Sequence, residues 1–81
     1  MTGQRILNNI RKTIGDFEEG EVVDVTDIGN AMKIRDGRIR WSRCEIAGAM
    51  PKLADVFIPT GEKNGCNLKT YVVKHNIYIH N

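Results

Sequence analysis

The spacing of apolar residues changes period once along this chain of 81 residues, and the change sets the order of its elements. Up to about residue 54 apolar residues recur every three or four positions, which predicts amphipathic helices. Beyond Ala54 they follow period two between turn residues, which predicts a β-hairpin. We therefore expect an α+β protein with three helices followed by a hairpin. A chain this short can bury one core, so residues 1–81 should form a single domain.

The first two helices are predicted from apolar stripes and capping residues. The first covers about residues 3–17, with Thr2 as its cap. An acidic connector from Asp16 to Asp27, with six acids and no cation, follows, and its three valines are enough for a short strand. Thr26 is the expected N-cap of the second helix, because Ile28, Ala31, Met32 and Arg35 follow it at helical spacing. This helix should end near Asp36-Gly37.

The third helix has the clearest start signal. Residues 42–45 read Ser-Arg-Cys-Glu, a capping box in which each end satisfies a backbone N–H of the other. Its predicted apolar stripe consists of Ile46, Ala49, Met50 and Leu53. Pro51 predicts a kink or an early end. The hairpin strands are then expected at residues 56–58, which stop at Pro59-Thr60-Gly61, and at residues 68–74, with a polar loop before the second.

Residues 32–41 admit a second interpretation. Apolar and basic residues alternate on both sides of Asp36-Gly37, a dipeptide typical of a type I′ turn. A β-hairpin at 32–41 would then replace the second helix and would present one basic face. The sequence leaves both interpretations open, and both expose the same arginines.

A local concentration of positive charge spans residues 33–43, with five cations against one acid. The whole chain carries a net charge of only +2, so the remaining residues are net acidic. We call these five residues the basic cluster: Lys33, Arg35, Arg38, Arg40 and Arg43. Local charge of this kind indicates an anionic partner, although a plain solvated face is the alternative. Trp41, inside the cluster, is expected to be a core anchor rather than a platform for stacked bases.

The order of these elements resembles that of a winged helix-turn-helix domain over about residues 3–74. The resemblance is one of architecture and implies that residues 26–53 form the helix-turn-helix and that the helix from Ser42 is the recognition helix. It also implies that residues 63–69 form the tip of the wing, against an adjacent groove or the backbone of double-stranded DNA. The implied nucleic-acid-binding residues are Lys33, Arg35, Arg38, Arg40, Arg43, Lys52, Lys63, Asn64 and Lys69.

The expected solvent face of the third helix carries Cys44, Gly48, Pro51 and Lys52, which offer little hydrogen bonding to base edges. Recognition would therefore rest on phosphates and DNA shape, or this face packs against another protein. The leading hypothesis is a cytoplasmic DNA-binding module, such as a transcriptional or replication regulator. The alternative is a protein-interaction module or inhibitor from a phage or other mobile element, whose basic face docks on an acidic partner or whose acidic connector mimics nucleic acid.

Other classes of function find little support in the sequence. Cys44 and Cys66 are expected as reduced thiols, the first half-buried and the second in a loop, and only His75 and His80 approach a zinc-ligand spacing. We expect no cofactor, no metal and no enzymatic activity, since no catalytic residue set accompanies the basic cluster. No apolar run is long enough to span a bilayer, and no secretory signal is recognised. The apolar residues Ile77, Tyr78 and Ile79 are candidates for a homodimer contact.

Overall fold

The computed structural model describes residues 3–75, which form an α+β domain of three helices and a three-stranded antiparallel sheet. The elements in chain order are α1 (Gln4–Arg11), a 3₁₀ turn (Ile14–Asp16), β1 (Val22–Val23), α2 (Val25–Arg35), α3 (Arg43–Ala49), a second 3₁₀ turn (Met50–Leu53), β2 (Phe57–Lys63) and β3 (Lys69–Val73). The predicted fold class is confirmed, and three helices followed by a C-terminal hairpin are consistent with a winged-helix-like topology. Within residues 3–75 no helix has the length and apolar character needed to cross a membrane.

The first helix is shorter than predicted. It begins after Gly3 and ends at Arg11, and the predicted cap Thr2 lies outside the described residues. The Thr13 hydroxyl donates to the Ile10 carbonyl at 2.7 Å, and the Thr13 amide donates to the same oxygen at 2.9 Å. Both bonds join residues three apart, which is the 3₁₀ pattern. They replace the bond between residues four apart that would continue the α-helix.

The second helix begins earlier than predicted, because its N-cap is Asp24 and not Thr26. The Asp24 carboxylate accepts from the Asp27 amide at 2.9 Å, and the Asp27 carboxylate accepts from the Asp24 amide at 3.0 Å. This reciprocal pair satisfies two backbone donors, whereas a cap at Thr26 would satisfy one.

The alternative hairpin at 32–41 is wrong, because α2 continues to Arg35. Ile28, Ala31 and Met32 are buried along one helical face, which only a helix can place together against the core. The turn signal at Asp36-Gly37 instead ends the helix, and the Ile39 amide donates to the Asp36 carbonyl at 3.0 Å.

The third helix matches its prediction. The Glu45 amide donates to the Ser42 hydroxyl at 3.1 Å, and the Ser42 amide donates to the Glu45 carboxylate at 3.0 Å. The predicted stripe is buried, and the helix tightens at Met50 into the 3₁₀ turn that contains Pro51. This change confirms the expected early end, since proline cannot donate the next α-helical bond.

The sheet has strand order β1-β3-β2, so the hairpin places β3 in the centre. Strand β2 continues through Pro59, where the sequence predicted its end. Proline is tolerated there because β2 is an edge strand. The register shifts between Pro59 and Lys63, and Gly61 has a φ of 85°, so an irregularity absorbs the misfit.

The core lies between the three helices and the inner face of the sheet. Ile10, Ile28, Ile46 and Phe57 have 1% or less of their surface exposed. Phe17 packs edge to face on Phe57, with ring centroids 6.3 Å apart. Trp41 is partly buried and packs against this core, which confirms its role as an anchor.

Asp24 also ties the start of α2 to the hairpin loop, since its Oδ2 accepts from the Asn64 amide nitrogen at 2.6 Å. We expect Asp24→Ala to lower the free energy of unfolding by about 2 kcal/mol, because it removes a helix cap and leaves the Asn64 amide without its partner. Ser42→Ala removes only an exposed cap and should cost about 1 kcal/mol. Urea titration of the two variants and the wild type measures the difference.

A double-mutant cycle isolates the long-range bond. Asp24→Ala, Asn64→Ala and the double variant should give a coupling free energy of about 1 kcal/mol. Additive effects of the two substitutions would show that the contact contributes nothing to stability.

Candidate nucleic-acid interface

The basic cluster spans the end of α2, the α2–α3 linker and the start of α3. Lys33 and Arg35 belong to the last turn of α2, Arg38 and Arg40 to the α2–α3 linker, and Arg43 is the first residue of α3. All five side chains are exposed. The apolar stripe of α2 packs against the core, and Lys33 and Arg35 of the same helix are exposed to solvent.

Two members of the cluster are already paired with acids. The Arg35 guanidinium donates to both Asp16 oxygens, at 2.8 and 3.1 Å. Arg38 binds Asp36 at 3.2 Å, and the hydrogen bonds of its side chain lower the pKa of the Asp36 carboxyl while Asp36 raises the pKa of Arg38. Exposed ion pairs contribute little free energy, so either arginine can turn to another anion at small cost.

The other three members keep their charge uncompensated. Arg40 donates to the Gly37 carbonyl at 2.6 Å and the Ile39 carbonyl at 3.1 Å, which are neutral acceptors. Lys33 and Arg43 form no ion pair or side-chain hydrogen bond with residues 3–75. The structure therefore distinguishes two neutralised arginines from three available cations, a distinction that the sequence does not show.

A second pair of cations lies on the hairpin. Lys63 ends β2 directly opposite Lys69 at the start of β3, and both are exposed. Like charges at facing positions of an antiparallel pair are destabilising. Neither lysine has an acidic partner in the described range, so a bound anion would relieve their repulsion.

Asn64 and Lys52, also predicted as ligand contacts, occupy different environments. The Asn64 side-chain oxygen accepts from the amides of Cys66 at 2.9 Å and Leu68 at 3.2 Å, while its nitrogen is bound to Asp24. Asn64 thus organises the hairpin loop, and its contact with a ligand stays a prediction. Lys52 is exposed on the 3₁₀ turn after α3.

A groove of about 610 Å³ runs between α3 and the hairpin. Its lining is mainly apolar and includes Ala47, Pro51, Leu68 and Tyr71, with Lys63 and Lys69 among its residues. Tyr71, which is buried at the base of this groove, was not among the predicted site residues. The position of Tyr71 in the second predicted strand is a signal for burial. The sequence carries no signal that this side chain lies opposite α3.

The exposed side of α3 is poor in base-reading groups. Cys44, Ala47 and Gly48 are all exposed. The prediction of a half-buried Cys44 is wrong, because this residue lies off the stripe of Ile46 and Ala49 that faces the core. Cys66 is exposed in the hairpin loop as expected, and both thiols are free.

Within the described part of the chain no group of three or more His, Cys, Asp or Glu residues is placed to hold a metal ion. His80 and the predicted dimer contact at residues 77–79 lie outside that part. Comparison with family models, with curated proteins and with solved structures gave no match.

Burial raises the pKa of Tyr71 above its usual value of 10.0. The folded state therefore holds the phenol proton at pH values where the unfolded chain loses it, so stability falls as pH rises above about 10. We expect Tyr71→Phe to remove this part of the alkaline loss. Urea titrations from pH 8 to 11 should give wild-type and variant curves that run parallel at the low end and separate above about pH 10. Curves that stay parallel throughout would contradict a buried phenol.

Proposed function

We propose that this chain is a small DNA-binding module of the winged helix-turn-helix type, with α3 as recognition helix and the β2–β3 loop as wing. The observation that carries the proposal is the set of uncompensated cations on both sides of α3. Lys33, Arg40 and Arg43 precede or begin the helix, and Lys63 and Lys69 lie on the hairpin. Cations without acidic partners are the groups that bind DNA by releasing its condensed counterions.

The order of elements supports the same proposal. In winged domains the third helix enters the major groove and the wing reaches an adjacent groove or the backbone. Three helices and a C-terminal hairpin are present here in that order, and the Asn64–Asp24 bond holds the hairpin loop to the start of α2. A transcriptional or replication regulator acting in the cytoplasm is the role that such a module would fill.

The proposed recognition is mainly of phosphate positions and DNA shape. Direct readout of bases depends on Arg, Asn or Gln side chains in the groove. Beyond Arg43 at its start and Glu45 in the helix cap, the exposed side of α3 offers Cys44, Ala47 and Gly48 instead. Small side chains permit close approach of the helix to the duplex but carry few hydrogen bonds, so discrimination between sequences should be modest.

Fluorescence anisotropy with a short duplex at several salt concentrations tests the proposal. The logarithm of the binding constant should fall linearly with the logarithm of salt concentration, by about 0.9 for each phosphate contacted. Five available cations would give a slope of roughly −4 to −5 on that basis. Absence of binding at low salt would overturn the proposed function.

Single substitutions assign the contacts. Arg40→Ala and Arg43→Ala should each weaken binding by about fivefold, or about 1 kcal/mol, and should each make the salt slope shallower by about one. Lys74→Ala is the matched control. Lys74 is paired with Glu19 at 3.4 Å and directly follows β3, at the opposite end of this strand from the hairpin loop. Equal losses in all three variants would move the interface away from α3.

A second candidate function, a protein-interaction module, is favoured by the apolar groove between α3 and the hairpin. Apolar lining of about 610 Å³ beside a helix face without base readers fits an apolar side chain of an acidic partner. The acidic connector gives less support to nucleic-acid mimicry, because most of its acids are used within the fold. Asp16 pairs with Arg35, Asp24 and Asp27 cap α2, and Glu19 pairs with Lys74.

Capture of partners from a lysate, with and without nuclease, separates the two functions. A partner that is retained after nuclease with the wild type and lost with Ala47→Glu would favour the groove. Retention that is lost after nuclease with the wild type would favour DNA binding through the cations.

A further inference from the structure

A second concave surface lies on the side of the linker that faces α1. It encloses about 460 Å³. Its polar lining comes from the first two turns of α1 and from the α2–α3 linker, and the residues used below are Arg5, Asn9, Asp36, Arg38, Arg40 and Trp41. Sequence reasoning did not identify Arg5, because only the packing of α1 brings it to a linker more than thirty residues away.

The charge of this pocket is positive even with its own acid included. Three arginines and one aspartate line it, and of the three only Arg38 is paired with the Asp36 carboxylate, at 3.2 Å. Arg5 forms no ion pair within residues 3–75, and Arg40 donates to carbonyl oxygens. Planar guanidinium groups bind oxyanions through two parallel hydrogen bonds, so convergence of several in one concave surface is typical of a phosphate site.

Trp41 supplies an independent observation. Its Nε1–H is buried and has no hydrogen-bond acceptor in the described structure. Buried donors in folded proteins nearly always have an acceptor, and an unpaired one is destabilising. Trp41 lines this pocket, so a small rotation of the indole would bring its Nε1–H to a bound oxyanion, an acceptor that residues 3–75 do not supply.

We propose that this pocket, between α1 and the α2–α3 linker, binds a single phosphate group through Arg5, Arg38 and Arg40. The site is distinct from the groove between α3 and the hairpin and does not require that the protein bind DNA. The phosphate can belong to a nucleic-acid backbone or to a free phosphorylated small molecule, since both present the same oxyanion.

Trp41 is the only tryptophan in the chain, so its fluorescence reports on the pocket directly. Titration with inorganic phosphate, at ionic strength held constant with chloride, should give a saturable change in tryptophan emission. Arg5→Gln should weaken this binding by about tenfold, which is typical for loss of one charge-assisted contact. Lys74→Gln removes the same charge at a position outside the pocket and the proposed DNA interface, and it should leave the affinity unchanged.

Asp36→Asn should act in the opposite direction. It removes the only carboxylate among the lining residues described and releases Arg38, so phosphate binding should tighten several-fold. Circular dichroism of each variant verifies that the fold is retained. A linear or absent response to phosphate in the wild type, or equal affinities in wild type, Arg5→Gln and Asp36→Asn, would overturn the proposal.

Competition identifies the source of the phosphate. If a short duplex displaces inorganic phosphate from the pocket, the site belongs to the nucleic-acid interface. If adenosine monophosphate displaces phosphate and the duplex does not, the site serves a phosphorylated small molecule. Both results support the pocket. A saturable phosphate response without duplex binding would overturn the proposed function alone, and duplex binding without a phosphate response would overturn the pocket alone.

Discussion

The packing of the hairpin against the helices depends on the hydrogen bonds that the Asp24 carboxylate accepts. One of its oxygens caps α2 through the Asp27 amide, and the other accepts from Asn64, forty residues later in the chain. Asp24 has only 8% of its surface exposed, so both bonds are sheltered from water. A single side chain therefore fixes where α2 begins and where the hairpin loop lies, and the relation between the helices and the hairpin follows from it.

The separation of core and charge is the second consequence of this arrangement. The helices turn their apolar stripes towards Phe57 and Val73 of the sheet, and the linker between α2 and α3 leaves its arginines outside. Among residues 3–75, Lys63 and Lys69 face each other on the hairpin without an acidic partner, and the indole N–H of Trp41 has no acceptor. Local features that lower stability without an evident compensation are most often found where a ligand binds. Here the facing lysines and the unpaired indole N–H occur beside cations without acidic partners. We interpret these features together as parts of an anion-binding surface.

Sequence reasoning succeeded where the signal was local. The box at Ser42, the stripe of α3 and the effect of Pro51 depend on residues within one or two turns, and all three appear in the structure. The predictions were wrong where contacts between distant parts of the chain determine where an element begins or ends. Thr26 and Asp24 are both good caps, and the choice depends on the reciprocal bond with Asp27 and the contact with Asn64. Likewise, β2 passes Pro59 because it is an edge strand, which only the sheet order reveals. The basic cluster was visible in the sequence, but its division into paired and available cations required Asp16, and the phosphate pocket required Arg5.

The most direct test of the proposed interface is a map of backbone amide chemical shifts during titration with a short duplex at low salt. The largest shift changes should fall in residues 33–43, at the start of α3, and in residues 63–69. Residues 17–23 of the acidic connector should change little. Shifts spread evenly over the surface, or concentrated on the groove residues Met50 and Tyr71 with none in the basic cluster, would contradict the proposed interface.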